Sequence, residues 1–437
     1  MQQPAVQTPA QRGFLRRLTL TTAWGEGLDG YDLGILSVTL PLIATGMGLS
    51  PMWLGLIGAS SLIGIFLGSP IIGYLTDRFG RRTPFLIDIA AFVVLGVLQA
   101  VVTEPWQLFV VRLLLGVAIG AEYAIGAAML AEFAPSRGRG RRLSKLLVYW
   151  YLGYLAAVVA AYALMDLAGW NWRWVLLTGA LPALVVLALR HGLPESPRWL
   201  VQQGRADEAR AVIERHLGDA GLFRAEEYGS EPSGGGWARL FAPGLRLRTV
   251  FVCTFWACLV APYFAIFTFA PQVFEALALA DTRASTIAAN AIAAVGAVVG
   301  MLTIERVGRR KQLIGPFWIM TAALVVVGLW SGAPAVVVVI CFALFSFFNA
   351  LSGNLTAVYP IEVFPTSVRS SGVGVASAFS RIGAAIGTFL LPVGISTIGI
   401  GGSMLIGAAL CAVGAVVSHV LAPETTGQTL TRTSAPG

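Results

Sequence analysis

Three carboxylic acids recur at intervals of three residues inside an apolar stretch near the start of the chain: Glu26, Asp29 and Asp32. Residues three apart lie on neighbouring parts of one face of an α-helix. A charge in apolar surroundings costs on the order of several kcal/mol, so such an acid pairs with a cation, lines a cavity or carries a proton. A carboxyl group in this setting can bind and release protons, which is the chemistry that we expect of this helix face.

A single arginine in the second half of the chain lies at a matching depth. If the first helix enters the apolar layer near Leu18, Asp29 is about 16 Å deep, and Arg381 is about 15 Å deep in a helix that starts at Ser371. We therefore hypothesise that the acids and Arg381 face one central cavity, where the arginine binds an anionic ligand and a carboxylate exchanges a proton. The alternative is that Arg381 neutralises a buried acid in a static ion pair.

The fourth apolar stretch adds a second charged position. Arg112, Gly116 and Gly120 recur every four residues, which is typical of a face that packs closely against another helix. Glu122 lies off that face, beside Tyr123. Its side chain is either a second proton or substrate site, or an acid that is paired with Arg112 or hydrogen-bonded within the bundle.

Aromatic and amide side chains could complete a binding site. The fifth apolar stretch carries Tyr149, Trp150, Tyr151 and Tyr154, whose rings suit a flat organic acid or heterocycle at least as well as a sugar. Asn349 could reach the cavity or could bond a neighbouring helix. The predicted binding residues are Glu26, Tyr31, Asp32, Tyr123, Trp150, Tyr154, Trp256, Asn349 and Arg381, and the predicted proton-coupling residues are Asp29, Asp32 and Glu122.

A short arginine-rich string occurs once in each half of the chain. The string at 77–82 returns 228 positions later at 305–310, each time between two long apolar stretches. Glu132, Pro135 and Arg139 are likewise matched 230 positions on, and the string at 194–196 is matched 229 positions on. Three concordant offsets indicate two related halves in tandem, which in a membrane is the architecture of a transporter.

The composition indicates a membrane protein independently of these motifs. Hydrophobic residues make up 56% of the 437 residues, charged residues only 12%, and the mean hydropathy is +0.76. Because a run of about 20 apolar residues spans a bilayer as a helix, we predict an all-α protein with twelve transmembrane helices in two six-helix halves. The helices are expected to start near Leu18, Trp53, Thr83, Trp106, Leu143, Trp172, Thr249, Ser285, Gln312, Ala333, Ser371 and Gly399.

The soluble segments divide the chain into four parts. We predict a first half over 1–190, a cytoplasmic middle loop over 191–248, a second half over 249–421 and a cytoplasmic tail over 422–437. The middle loop should contain an amphipathic helix with Ala209, Val212 and Ile213 at helical spacing. It is too short to bury a core of its own.

The basic residues predict the orientation, since loops rich in Lys and Arg stay in the cytoplasm. With both termini inside, only Arg173 and Arg283 of the 30 Lys and Arg residues lie at the outer surface. The net charge of +8 is then a topology signal rather than a sign of nucleic-acid binding. These features predict a multi-pass protein of the inner (cytoplasmic) membrane.

The string Gly73-Tyr74-Leu75-Thr76-Asp77-Arg78-Phe79-Gly80-Arg81-Arg82 resembles the loop motif of the major facilitator superfamily, with Thr76 where a smaller residue is usual. The strings at 30–32, 194–200 and 423–425 are similar to those of the sugar-porter group and its relatives that carry organic ions and metabolites. The string at 29–32 also resembles the first-helix motif of aromatic-acid/proton symporters. The fifth and seventh spans lack the Gln residues that sugar porters usually carry there.

The resemblance implies a gate built from the repeated loops. The Asp of this motif can favour the N-terminus of a helix in the opposite half and so close the cytoplasmic side. The residues expected to take part in gating are Asp77, Arg78, Arg81, Arg112, Glu132, Arg139, Glu305, Arg306, Arg309, Glu362 and Arg369.

The sequence thus predicts a secondary active transporter that moves a small polar metabolite, an organic or aromatic acid, by proton-coupled alternating access. The alternatives are a sugar or polyol proton symporter, and a membrane nutrient sensor on the same scaffold. No catalytic set, metal-ligand cluster or phosphate-binding loop is recognisable, so we expect neither an enzyme nor a cofactor or metal site. The expected partners are a small-molecule substrate, protons and the lipid bilayer, and the expected state is a monomer.

Overall fold

The fold consists of fifteen α-helices in a computed structural model that describes residues 9–133, 139–217, 237–330, 332–365 and 368–426. Side chains of a few helical residues are also outside this description, among them Asp77, Glu132, Arg139 and Arg369. The helices are α1 (Pro9–Met47), α2 (Pro51–Phe79), α3 (Arg82–Val101), α4 (Pro105–Phe133), α5 (Arg139–Ala168), α6 (Trp172–Leu177), α7 (Ala180–Arg190), α8 (Pro197–Gln202), α9 (Ala206–Leu217), α10 (Arg246–Thr268), α11 (Ala270–Ala276), α12 (Thr282–Val307), α13 (Arg309–Leu329), α14 (Ala335–Val363) and α15 (Arg369–Leu421).

Twelve membrane spans follow from these helices. Eleven segments within the described residues are long and apolar enough to cross a bilayer, and α6 and α7 together form one of them, Trp172–Arg190. The last segment is α15, which is interrupted at Gly399 with φ 77° and ψ 171°. Only glycine adopts this conformation readily, and it breaks the helix at this point. The long segment α15 therefore comprises two spans, and the predicted number of twelve is confirmed.

Pairing between the helices repeats in the two halves. In the first half α1 packs on α5 and α2 on α4, and in the second α10 packs on α15 and α12 on α14. The halves meet where α2 contacts α15 and where α5 contacts α12. This repeated pairing is the structural counterpart of the duplicated loop strings.

The described parts of the connection between the halves lie at one membrane face, which we call the middle-segment face; the opposite face is called the far face. The connection contains α8, α9 and a 3₁₀ turn at Trp237–Phe241. Ala209 and Ile213 of α9 are fully buried, and α9 packs against α1. The predicted amphipathic helix is thereby confirmed.

Candidate functional site

The acids of α1 are buried because α1 and α5 pack closely. A side chain at Gly30 would collide with the carbonyl oxygen of Trp150, and one at Gly153 would collide with that of Gly27. The glycines therefore bring the two backbones together and place the acid-bearing helix in the interior. Glu26, Asp29 and Asp32 are all buried there.

Asp32 forms an ion pair with α4. Its carboxylate accepts a hydrogen bond from Arg112 Nη1 at 2.8 Å, and Gln99 Oε1 accepts one from the same nitrogen at 3.0 Å. Both charged side chains are buried, so each neutralises the other inside the first half. The role in gating that we expected for Arg112 remains a prediction, since its guanidinium contacts Asp32 rather than a loop.

Glu122 pairs with Arg190 at the end of α7, at 2.5 Å. Of the alternatives left open for Glu122, pairing with Arg112 is therefore wrong, and bonding within the bundle is what the structure shows. The role as a proton or substrate site stays a prediction. Arg190 also lies 3.4 Å from Asp88 of α3, and its guanidinium centre is 3.5 Å from the Phe85 ring centroid. Sequence reasoning did not identify Arg190 or Asp88 as site residues because both lie near helix ends. The structure buries both side chains, since each points from its helix end into the bundle.

Among the described residues, Asp29 has no partner. Its exposed fraction is 0%, and no described group donates a hydrogen bond to either carboxylate oxygen. An unpaired carboxylate is costly in such surroundings when it is charged, and protonation removes that cost. Asp29 therefore differs from Asp32, one turn further along the same helix.

Arg381 of α15 lies between the halves, where it meets aromatic rings of both. Its guanidinium centre is 5.0 Å from the Tyr123 ring centroid in α4 and 5.4 Å from that of Phe264 in α10. Among the described side chains no carboxylate lies within ion-pair distance of it, so the static ion pair is not formed in this conformation. Of the three acids of α1, Glu26 is the one within electrostatic range of the Arg381 guanidinium.

An aromatic wall joins α5 to α10 beside Arg381, and we use this name for Trp150, Tyr151, Tyr263, Phe264 and Phe267. Trp150 lies 6.1 Å from Tyr263 and 6.0 Å from Phe264 between ring centroids, and Tyr263 stacks on Phe267 at 4.4 Å. The hydroxyl of Tyr263 is buried and has no hydrogen-bond partner among the residues described, so it is available to bind a ligand. Tyr263 and Phe264 were missed because aromatic residues in an apolar span look like ordinary packing residues.

Other predicted binding residues make bonds between helices. The Tyr31 hydroxyl lies 2.8 Å from the Thr178 hydroxyl, and Asn349 donates to the Leu259 carbonyl at 2.8 Å. Tyr154 donates to the Phe267 carbonyl at 2.9 Å and so links α5 to α10. Trp256 is half-buried on α10. A groove of about 620 Å³ between α3 and α7 is lined by none of the predicted binding residues.

The repeated Pro-Glu strings cap helices at the middle-segment face. Glu195 accepts backbone N–H bonds from Arg81 and Arg82 at the start of α3, with the shortest at 2.8 Å. A carboxylate at this position satisfies otherwise unpaired N–H groups and interacts favourably with the helix dipole. Gly80 precedes the capped turn with φ 86°, and a side chain there would collide with Glu195.

Glu424 repeats this arrangement in the second half. It accepts backbone N–H bonds from Arg309 at 3.1 Å and from Arg310 at 3.2 Å, after Gly308 with φ 91°. Partial burial alone would raise the pKa of Glu424, but hydrogen bonds from Thr426, Arg310 and Arg309 hold it below its usual value. The duplicated strings therefore form equivalent contacts in both halves.

Apart from Arg112, the predicted gating residues that the structure describes lie at this same face. Arg309 contacts Glu305 at 3.0 Å and Glu362 at 3.1 Å, within the second half. Arg78 lies over the adjacent Phe79 ring at 5.5 Å, and Arg306 is exposed. Arg81 contributes its backbone N–H to Glu195. The predicted roles of Asp77, Glu132, Arg139 and Arg369 concern side chains outside the described part of the chain.

The halves also touch at the far face. Arg283 of α12 contacts Asp166 of α5 at 2.5 Å. Nearer the start of α2, Gly55 lies directly against the Phe389 carbonyl and Gly58 against the Phe269 ring. These contacts close the far side of the central residues.

Comparison with known proteins assigns the family. The model of the family described as "Sugar (and other) transporter" matches residues 18–435. The chain belongs to this family. It is 39% identical over 422 residues to the putative metabolite transport protein YaaU of Escherichia coli, covering 96% of this chain and 94% of the relative. It is 36% identical to the inner membrane metabolite transport protein YgcS of the same organism, with coverage of 94% and 92%.

A solved structure supports the fold of this family member. The proton:xylose symporter XylE of E. coli superposes with a TM-score of 0.79 at 22% identity, covering 96% of this chain and 98% of XylE. This transporter of the sugar and metabolite type therefore has the major facilitator fold. The predicted relation to the sugar-porter group and its metabolite-carrying relatives, the location in a membrane and the class of transporter are confirmed.

Proposed function

We propose that this transporter carries a small organic anion, an organic or aromatic acid, together with protons by alternating access. The observation that carries the proposal is the position of Arg381. It lies between the halves, is only 7% exposed, and contacts ring faces rather than a carboxylate.

The energetics favour an anionic ligand at Arg381. Contacts with aromatic rings stabilise a cation by about 0.5–2 kcal/mol. Removing the charge of the guanidinium from water costs roughly several kcal/mol, so the aromatic rings offset only part of that cost. A carboxylate that binds the planar guanidinium through two parallel hydrogen bonds offsets the rest. The aromatic wall beside it gives a flat substrate surfaces on which to stack.

Glu26, Asp29, Asp32 and Glu122 supply the coupling to protons in this proposal. While Glu26 is charged, it competes with a substrate carboxylate for Arg381; when it is protonated, the full positive charge is available to the substrate. Protonation of Asp32 would break its pair with Arg112 and so loosen α1 from α4. Binding of proton and substrate together then permits the halves to rock about the central residues.

The orientation and boundaries of the chain belong to the same proposal. We assign the middle-segment face to the cytoplasm because nearly all loop Lys and Arg residues lie there. Both termini, the connection over 191–248 and the tail over 422–437 are then cytoplasmic, and the chain acts as a monomer. In this orientation the far face is the outer face, and the protein is closed there.

A sugar or polyol proton symporter is the second candidate, and membership in the sugar transporter family favours it. Sugar recognition needs several hydrogen-bonding side chains for hydroxyl groups. The described wall between α5 and α10 offers ring faces and the Tyr263 hydroxyl instead, which favours the acid.

Uptake into proteoliposomes tests the proposal. Benzoate, nicotinate, an aliphatic acid and xylose are screened by thermal shift, and hits are assayed for uptake driven by an imposed pH gradient. We expect accumulation of an aromatic acid that a protonophore abolishes. Saturable uptake of xylose alone would select the second candidate, and uptake insensitive to the protonophore would contradict the coupling.

The substitution Arg381→Lys gives the sharper measurement. It keeps the charge but removes the planar fork, so a carboxylate-binding site should lose affinity by about tenfold or more. The matched control is Arg283→Lys, in the exposed pair with Asp166. Unchanged uptake kinetics in Arg381→Lys would exclude the proposed contact with substrate.

A further inference from the structure

A buried charged cluster surrounds Arg190 in the first half, and the proposed function uses only part of it. Arg190 contacts Glu122 at 2.5 Å and Asp88 at 3.4 Å. Glu26 and Asp29 of α1 lie within electrostatic range of both Glu122 and Arg190. A side chain at Gly25 would collide with Arg190 and Glu122, so α1 packs directly on the pair. We call these four acids and Arg190 the Arg190 cluster.

The cluster contains more acids than cations. Two carboxylates contact Arg190 and two more lie within electrostatic range of it, which would leave a net charge of −3 if all four were ionised, or −2 if Arg381 is included. All five side chains of the cluster are buried. Uncompensated charge of this size is not stable in low-dielectric surroundings.

Carboxylate oxygens without a hydrogen-bond donor indicate where protons bind in the cluster. Both carboxylate oxygens of Asp29, Oε1 of Glu122 and Oδ2 of Asp88 are buried, and none of them has a hydrogen-bond donor within the part of the chain that the structure describes. Glu122 and Asp88 are also close enough to share a hydrogen bond if one of them is protonated. A proton on an acid provides a donor for a neighbouring oxygen and removes one negative charge.

The cluster extends from the centre of the first half toward the middle-segment face. Asp29 lies deep in α1, whereas Asp88 lies in the second turn of α3 and Arg190 is the last residue of α7. Both of these helix ends are at the middle-segment face, which the proposed orientation places in the cytoplasm. Asp88 is thus the acid of the cluster nearest to that solution.

We propose that Glu26, Asp29, Asp88 and Glu122 form a proton-binding site organised by Arg190, from which a proton leaves to the middle-segment face through Asp88. Its role in transport rests on the proposed proton coupling. No bond other than O–H changes: the proton moves from one carboxyl group to the next carboxylate and finally to water. Arg190 is a positioning residue that sets how many protons the acids hold. The pair of Asp32 and Arg112 is balanced by itself and lies outside this site.

Infrared spectroscopy of the full-length protein in lipid nanodiscs, without substrate, tests the site. We expect the C=O stretch of a protonated carboxyl group to persist at neutral pH. Asp29→Asn and Glu122→Gln, which preserve side-chain shape, should reduce this band, while Asp166→Asn, at an exposed acid, should not. A spectrum with no such band at neutral pH, or a band that no cluster substitution reduces, overturns the proposal.

Substitution of Arg190 separates proton binding from a purely structural role. Arg190→Gln removes a positive charge that favours the ionised form of the acids. If that charge acts directly, the C=O band should persist to a pH about one unit or more higher than in the wild type. Arg190→Lys should restore a profile close to that of the wild type. If Arg190→Gln does not fold, the lysine variant and the isosteric acid variants still decide the outcome. Identical pH profiles in folded wild type and Arg190→Gln would contradict the organising role.

Transport of nicotinate tests the outlet. Asp88→Asn should slow uptake driven by a pH gradient severalfold and leave nicotinate counterflow, which needs no net proton movement, near the wild-type rate. Equal loss of both activities would exclude Asp88 as an outlet. Because the infrared band is measured without substrate, a failure to transport any acid would refute the proposed function without refuting the proton-binding site.

Discussion

Asp29 and Asp32 lie one turn apart on α1, and their surroundings are opposite. Asp32 is bonded to Arg112, whereas neither oxygen of Asp29 has a partner in the described part of the chain. The same isosteric substitution should therefore have different effects. Asp32→Asn leaves the buried charge of Arg112 uncompensated, which costs on the order of 3 kcal/mol, whereas Asn at position 29 leaves no charge unpaired.

Thermal unfolding of purified protein checks this contrast. We expect a clearly lower midpoint for Asp32→Asn and a midpoint close to that of the wild type for Asp29→Asn. The double variant Asp32→Asn with Arg112→Gln should recover part of the loss, because no charge is then left unpaired. A larger loss in Asp29→Asn than in Asp32→Asn would mean that Asp29 has a partner in the membrane.

The depth of each charged residue could be predicted from the sequence, but its partner could not. A rise of 1.5 Å per residue gives depth along a helix, whereas a partner depends on helix rotation, tilt and neighbours. Arg381 and the acids of α1 were therefore found as candidates. The pairs of Asp32 with Arg112 and of Glu122 with Arg190 required coordinates, as did the burial of Asp88.

At the scale of elements, the contact of α1 with α5 depends on glycine. A methyl group at Gly30 would lie 2.0 Å from the Trp150 carbonyl oxygen, so Gly30→Ala should force the helices apart and destabilise the protein by about 1–3 kcal/mol. Gly13, on the same helix, has no atom within 4 Å of such a methyl group. Gly13→Ala should be neutral or slightly stabilising, since alanine is the better helix former.

Unfolding midpoints of the two glycine variants give the measurement. The predicted order is Gly13→Ala at or above the wild type and Gly30→Ala several degrees below it. A Gly30→Ala variant as stable as Gly13→Ala would show that α1 and α5 are not packed at this distance.

Most elements could be predicted because membrane spans are long, apolar and duplicated. The twelve spans, the amphipathic α9 and the relation between the halves all follow from hydropathy and from the repeated strings. The break in α15 was expected near Gly399, where the structure has it. The aromatic wall was predicted only on its α5 side, because nothing in the pattern of α10 distinguishes Tyr263 or Phe264 from packing residues.

At the scale of the whole molecule, the far face is closed by close packing more than by charge. The pair of Asp166 and Arg283 is about half exposed, and such pairs contribute roughly 0–1 kcal/mol. Gly55 lies so close to the Phe389 carbonyl that even a methyl group would collide with it. Closure of this face should therefore be sensitive to the size of residue 55.

Spin labels at Asp166→Cys and Arg283→Cys report the separation of the halves at the far face, and replacing the exposed pair should itself change little. In this labelled background Gly55→Val should shift the distance distribution to longer values, because α2 cannot approach α15 and the state open at the far face becomes more populated. The control is Gly374→Val, where a side chain has open space on α15. An unchanged distribution in Gly55→Val would mean that contacts other than those of α2 with α15 hold the halves together at this face. It would also mean that the rocking motion does not separate these two helices.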